Sequence, residues 1–102
     1  MMPTQVRVLP TTDRAHHYAQ EIVYRLRDAG IRAESDYRSE KLGYKIREAQ
    51  MQKIPYMLVV GDRDMENQTV SVRTRAGVDL GAMSVDDFRT KCRAEIDTKV
   101  RD

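Results

Sequence analysis

The spacing of apolar positions changes several times along this chain, and each change marks an element. Residues 5–9 read as a short strand closed by Pro10, and Thr11, Thr12 and Asp13 then supply helix-capping side chains. Ala15, Ala19, Ile22, Leu26 and Ala29 follow at i, i+4, i+7, i+11 and i+14, one apolar stripe of an amphipathic helix. Gly30 stands where a helix C′ residue belongs, and residues 31–36 alternate as a half-buried strand does.

A second helix is predicted from Ser39 as N-cap, with Glu40 in its first turn and Leu42, Ile46 and Ala49 as its buried stripe. Lys41 and Lys45 lie four apart on one side of it, while Tyr44, Arg47 and Met51 share another face that looks outward or toward a partner. Pro55 enforces a break. Residues 56–60 are a continuous apolar run, the pattern of a central strand covered on both faces. Residues 62–68 are polar and read as a loop. Residues 69–75 alternate with Val70 and Val72 on one face, Ala76-Gly77 signals a turn, and residues 78–83 return as the hairpin partner. Ser84 and Asp87 form a capping-box pattern, and Val85, Phe88, Cys92 and Ile96 continue at helical spacing. The predicted order is β-α-β-α-β-β-β-α, an α/β fold with a mixed sheet of about five strands and three helices on its two faces.

With 102 residues the chain has room for one domain, and no linker, repeat or low-complexity stretch divides it. No apolar run approaches the length of a membrane span, and the first residues lack the charged start and apolar core of a signal peptide. The one cysteine, Cys92, excludes an internal disulfide framework and a paired-cysteine metal site, so a cytoplasmic, reducing setting is expected. Net charge is only +2, but it is unevenly spread. Residues 37–53 carry Arg38, Lys41, Lys45, Arg47 and Lys53 against Glu40 and Glu48, whereas residues 54–68 carry Arg63 against Asp62, Asp64 and Glu66. A local basic patch of this kind suits a polyanion, and it equally suits a solvated helix face.

Catalytic chemistry has little support. His16 and His17 are adjacent on a helix, so they point about 100° apart and do not share a metal; they read as surface histidines. Cys92 lies on an apolar stripe and reads as a small core residue. Asp86 and Asp87 open a helix, where the macrodipole accounts for them. Thr11-Thr12-Asp13 at a strand-to-helix turn is the one hint of phosphate binding, and it lacks the glycines that let backbone approach a phosphate. Binding is better supported. If Val70 and Val72 face the core, Thr69, Ser71, Arg73 and Arg75 line the wet face of their strand. Arginine can pair two acceptors on a base edge or lie flat on an unstacked base. A strand face beside a basic helix makes a platform for single-stranded RNA; the bland alternative is an exposed hairpin with solubilising arginines.

The residues themselves then become recognisable. The run from Asp36 and Tyr37 through GYKIRE (residues 43–48), followed by Lys53-Ile54-Pro55-Tyr56-Met57-Leu58-Val59-Val60-Gly61-Asp62, resembles the C-terminal anticodon-binding domain of class II aminoacyl-tRNA synthetases. Val70-Ser71-Val72-Arg73-Thr74-Arg75 with Gly77 and then Asp79-Leu80-Gly81 is similar to the threonyl branch of that family rather than to its prolyl, histidyl or glycyl branches. The resemblance runs over residues 6–96 in order and without gaps.

It implies an α/β domain that grips the anticodon loop of threonine tRNA and reads its middle G and third U. Arg73 matches the arginine of the family's VRTR strand that contacts those bases. Lys41 matches the lysine of its RNEKIG motif. Ser39 stands where that motif usually has Asn, and Asp64 where Glu is common; Ser is shorter and offers one donor in place of an amide pair. Arg75, Arg38 and Lys45 complete the RNA-binding set. The resemblance implies no cofactor within this stretch, since ATP and zinc belong to the catalytic domain, which the chain lacks; the domain by itself is expected to be no enzyme. It further implies that the catalytic domain of the same synthetase is a partner and that the isolated domain is a monomer. Two other readings remain at this point. One is a small flavodoxin-like nucleotide-binding or regulatory domain, with its crevice at the carboxyl ends of the strands. The other is a free-standing adaptor that kept the fold.

Overall fold

The computed structural model describes residues 4–38 and 40–101, with side chains as far as residue 95. Five strands are present: β1 (Val6–Pro10), β2 (Ala33–Ser35), β3 (Tyr56–Val60), β4 (Thr69–Thr74) and β5 (Asp79–Ser84). A 3-10 turn (Asp13–Ala15) leads into helix α1 (His16–Asp28), and α2 (Leu42–Met51), α3 (Asp62–Asn67) and α4 (Val85–Arg101) follow. The sheet order is β2-β1-β3-β4-β5, parallel through β3 and antiparallel beyond it. The expected mixed five-stranded sheet is therefore present, and the described residues form four α-helices where three were expected.

The additional helix is the segment that reads as a loop. Residues 62–67 carry no apolar stripe, and none of them is buried, so periodicity gives no signal. Their helix is made locally. Asp64 reaches back to accept from the Gly61 N–H at 3.1 Å, and Asp62 and Asp64 place negative charge at the helix start. Gln68, with φ of 56°, ends it in the left-handed region.

β2 and β3 flank β1 on opposite sides, so the two crossover helices fall on opposite faces of the sheet. On one face Val6, Val8, Leu58, Val60, Val70 and Val72 pack with Ala19, Ile22 and Leu26 of α1 and with Val85, Phe88 and Cys92 of α4. Phe88 is fully buried, edge-on to Tyr56 with ring centroids 5.4 Å apart. Truncating a side chain so enclosed costs about 3–5 kcal/mol. The Tyr56 hydroxyl meets the Glu95 carboxylate, and its pKa is pushed up, first by burial and then by that bond. On the other face α2 sets Ala49, with Leu42 and Ile46 half-buried, over Leu9 and Met57.

The helix ends explain the boundaries. After α1, Gly30 adopts φ of 81°, its N–H bonds to Arg27 O at 3.0 Å, and Ile31 N–H bonds to Leu26 O at 2.9 Å. Those two bonds satisfy carbonyls that the helix leaves open. They also shorten the following strand: pairing starts at Ala33, not at residue 31. The same arrangement ends α2 without a glycine. Lys53 takes φ of 61°, with its N–H on Gln50 O and Ile54 N–H on Ala49 O. Ser84 Oγ accepts from Asp87 N–H at 3.0 Å and so caps α4 as expected. α2 begins later than its sequence suggests. The helix starts at Leu42 with Lys41 in the cap position and no side-chain cap bond; Ser39, the expected N-cap, lies outside the described residues, as does the Ile96 side chain.

Candidate nucleic-acid interface

β4 and β5 extend the sheet past the end that α2 covers. The register sets Met57 opposite Arg73 and Val59 opposite Ser71, so Ser71 and Arg73 share the face that carries α2. Val70 and Val72 are fully buried on the other face, while Thr69, Ser71 and Arg73 are half-buried and Asp79 to Ala82 are exposed. The expected wet, arginine-bearing strand face is therefore present. A bulge at Val72/Arg73 shifts the register with β5, the kind of irregularity that re-aims a side chain. Arg75 lies just past the strand, exposed, its backbone N–H on Pro55 O at 3.0 Å. Among the described residues, no hydrogen bond or ion pair holds the side chains of Lys41, Arg73 or Arg75.

Arg38 and Lys45 are placed differently. Lys45 is only 4 % exposed, and its Nζ donates to the Asp36 carbonyl at 3.1 Å. The Arg38 guanidinium forks onto both Asp36 oxygens, Nε–Oδ1 at 2.9 Å and Nη2–Oδ2 at 2.8 Å, and reaches Glu48 Oε1 at 2.7 Å. It also lies 5.9 Å from the centre of the Tyr44 ring. The Arg38 bonds hold the carboxyls of Asp36 and Glu48 below the usual carboxylate range. So the side of the helix expected to present Lys41 and Lys45 together presents Lys41 alone, because Lys45 sits one turn in, over the sheet. Tyr44, Arg47 and Met51 do face outward.

Asp64 is built into the fold. Besides the Gly61 N–H, its carboxylate accepts from Thr69 Oγ1 at 3.0 Å, which ties α3 to the start of β4. Lys41 and Arg73 are not neighbours. Lys41 borders a cleft of about 420 Å³ with Thr11, Thr12, His16 and Tyr37, at the carboxyl end of β1. Arg73 is level with Met57, three residues down β3 from that end and two strands across. Those steps amount to roughly 10 Å along the strands and roughly 10 Å between them. The separation matches an extended loop of polynucleotide lying across the face, and exceeds one base.

The cleft is where the phosphate hint of Thr11-Thr12 falls. The Thr11 hydroxyl leans on Val60 O and the Thr12 hydroxyl on Asp62 Oδ1, each at 3.4 Å, and no glycine loop opens the backbone between them. His17 is solvated as expected, but His16 is partly covered by Tyr37, with ring centroids 5.1 Å apart. Cys92 is buried in the core. Among the described residues no group of three or more His, Cys, Asp or Glu side chains is placed to hold a metal, and no helix is long and apolar enough to cross a membrane.

The sequence reading missed two polar centres. Arg7, 8 % exposed in mid-β1, donates to Glu34 at 2.6 Å and to Gln52 at 2.7 Å, joining β1, β2 and the end of α2. Its signal was a charged residue inside a strand otherwise wholly apolar. Asp36 is the other; an aspartate two residues ahead of an arginine is an Asx-turn pattern, and Arg38 N–H does bond Asp36 Oδ1 at 3.1 Å.

A central parallel trio with an antiparallel hairpin at one edge, α2 on one face and, among the described residues, unpaired cations beside it define a mixed α/β module with a cationic, uncovered strand face. The family model described as "Anticodon binding domain" matches residues 5–95, and the chain belongs to that family. Within it, the similarity is to the threonyl branch. The chain is 58% identical over 99 residues to a threonine–tRNA ligase of Desulforamulus reducens, covering 97% of this chain and 16% of that protein. It is 54% identical over 102 residues to that of Symbiobacterium thermophilum, again 16% of its length. The chain thus spans about a sixth of the curated relatives it matches, and the matched part is the anticodon-binding domain, which is not by itself the ligase. Among solved structures, the RNA binding domain of threonyl-tRNA synthetase from Cryptosporidium parvum superposes with a TM-score of 0.84 at 26% identity, over 90% of this chain and 23% of that one. Histidyl-tRNA synthetase from Nostoc superposes at 0.85 with 20% identity, over 93% of this chain and 23% of that one, a likeness of fold alone. The resemblance stated from the motifs is borne out, and the flavodoxin-like alternative is not favoured.

Proposed function

We propose that this domain binds the anticodon loop of threonine tRNA, so that the catalytic domain of the same synthetase can charge it with threonine. The observation that carries the reading is Arg73: it stands on the uncovered face of β4, without a partner among the described residues, in a chain of the threonyl branch of the anticodon-binding family. Its planar fork can pair two acceptors of a guanine edge. Lys41 and Arg75 lie on the path of the phosphates, Asp64 keeps lone pairs for a base donor beyond its two internal bonds, and Ser39 belongs to the segment next to Lys41. The domain works in the cytoplasm as a monomeric unit and needs no cofactor of its own; ATP and zinc serve the catalytic domain. Filter binding at low salt with threonine tRNA, and with a transcript altered at the middle anticodon base, tests the reading. Tighter binding of the unaltered tRNA is expected, and equal affinity for both refutes base reading.

A further inference from the structure

Resting on that reading, we propose that Asp36 and Lys45, with Arg38, are positioning residues. They form an internal strut that ties the end of β2 to the entrance of α2 and thereby delivers Lys41 to the RNA, without contacting the RNA themselves.

The strut joins three elements. The Asp36 N–H donates to Val8 O at 3.0 Å, which fastens the end of β2 to β1. Its carboxylate, 7% exposed, is filled by the Arg38 backbone N–H and guanidinium. Its carbonyl takes Lys45 Nζ from α2 at 3.1 Å, and the Lys45 N–H bonds back to Lys41 O at 3.1 Å. Glu48, one turn further along α2, takes the remaining reach of Arg38. The segment bearing Lys41 is thus tied at its root to the sheet and at its far end to the helix.

The charges support geometry over attraction. Arg38 and Lys45 are matched by Asp36 and Glu48, so the cluster presents no net charge to a polyanion. An ammonium 4 % exposed has lost most of its hydration, and losing its partner would leave it stranded. Such a group is poorly placed to meet a phosphate and well placed to hold a carbonyl in one position.

The salt dependence of binding separates the two roles. Each phosphate contact removed lowers the log–log slope by about 0.7 for a single strand, so a Lys45 that met a phosphate itself would lower the slope even where Lys41 is gone, whereas a strut lowers it only through Lys41. The whole chain would be titrated with a threonine anticodon stem-loop at several salt concentrations. Lys45→Met and Lys41→Ala are each expected to weaken binding roughly five- to tenfold and to lower the slope by about 0.7, because both lose the one contact made by Lys41. In the Lys41→Ala background, Lys45→Met should add less than twofold, because its effect passes through Lys41. If Lys45→Met does not fold, Arg38→Gln, at a half-exposed site, carries the same expectations. A further fall in slope when Lys45→Met is added to Lys41→Ala, an unchanged affinity of Lys45→Met alone, or additive losses would each overturn the strut while leaving RNA binding intact. Absence of binding by the unaltered chain would overturn the RNA reading, and this inference with it.

Discussion

Salt is the perturbation whose magnitude the structure sets most directly. Five cations were candidates for the RNA: Arg38, Lys41, Lys45, Arg73 and Arg75. Two of them are spent inside the fold, Lys45 on the Asp36 carbonyl and Arg38 on two carboxylates. Lys41, Arg73 and Arg75 have no such partner among the described residues. Each cation that meets or neighbours a phosphate of a single strand contributes about −0.7 to the slope of log K against log salt, so the three free cations, with Arg73 counted as a neighbour of the phosphate beside the base it reads, give about −2 and five give about −3.5. Between 50 and 200 mM salt the first value is roughly a twentyfold loss of affinity and the second more than a hundredfold, well apart in any titration. The assay is fluorescence anisotropy of a labelled anticodon stem-loop across that range. A slope near −3.5 would mean that Arg38 and Lys45 leave their carboxylate and carbonyl to reach the RNA, which refutes their assignment as internal. A slope near zero would mean that the basic patch plays no part in binding.

Arg73→Lys keeps the charge and removes the fork; it should leave stability within about 0.5 kcal/mol and lose roughly 1–3 kcal/mol of preference for the cognate middle base, and full retained preference would remove Arg73 as the reader. Gly43 has nothing within 4 Å of where a Cβ would stand, so no protein group requires the glycine. Gly43→Ala should therefore stabilise α2 by up to about 1 kcal/mol in thermal melts, and a concurrent loss of RNA affinity would reveal close approach of RNA there. Lys53→Gly relieves a left-handed backbone that costs a non-glycine residue about 1–2 kcal/mol, less the entropy that glycine forfeits; a modest rise in melting temperature is expected, and a fall would contradict the strain. Asp36 has a folded pKa below its unfolded value because Arg38 bonds its charged form. Its contribution is complete above about pH 4 and is lost as pH falls through the depressed value, so Asp36→Asn should flatten the acid side of a stability–pH curve, and an unaltered acid limb would rule this out.

The two kinds of information divide along a physical line. Local pattern determined β1, α1, β3, the β4–β5 hairpin and α4: α1, α4 and β4 through the period of one buried face, β1 and β3 through short apolar runs, and β5 through the turn at Gly77 that precedes it. The motif blocks determined the family, and they named Arg73 and Lys41. Tertiary structure decided what short-range pattern does not carry. α3 has no buried face, so only its end bonds reveal it. α2 starts at Leu42 rather than near Ser39, since the strand before it is fastened through Asp36 and not released into the helix. Above all, a lysine reads the same in sequence whether its ammonium meets solvent or a carbonyl. Lys41 and Lys45 are four residues apart on one helical spacing, yet the first stands free at the helix entrance and the second lies under the helix against Asp36. That difference depends on where α2 sits over β1, and the position of one element on another is fixed by packing rather than by the order of residues within either.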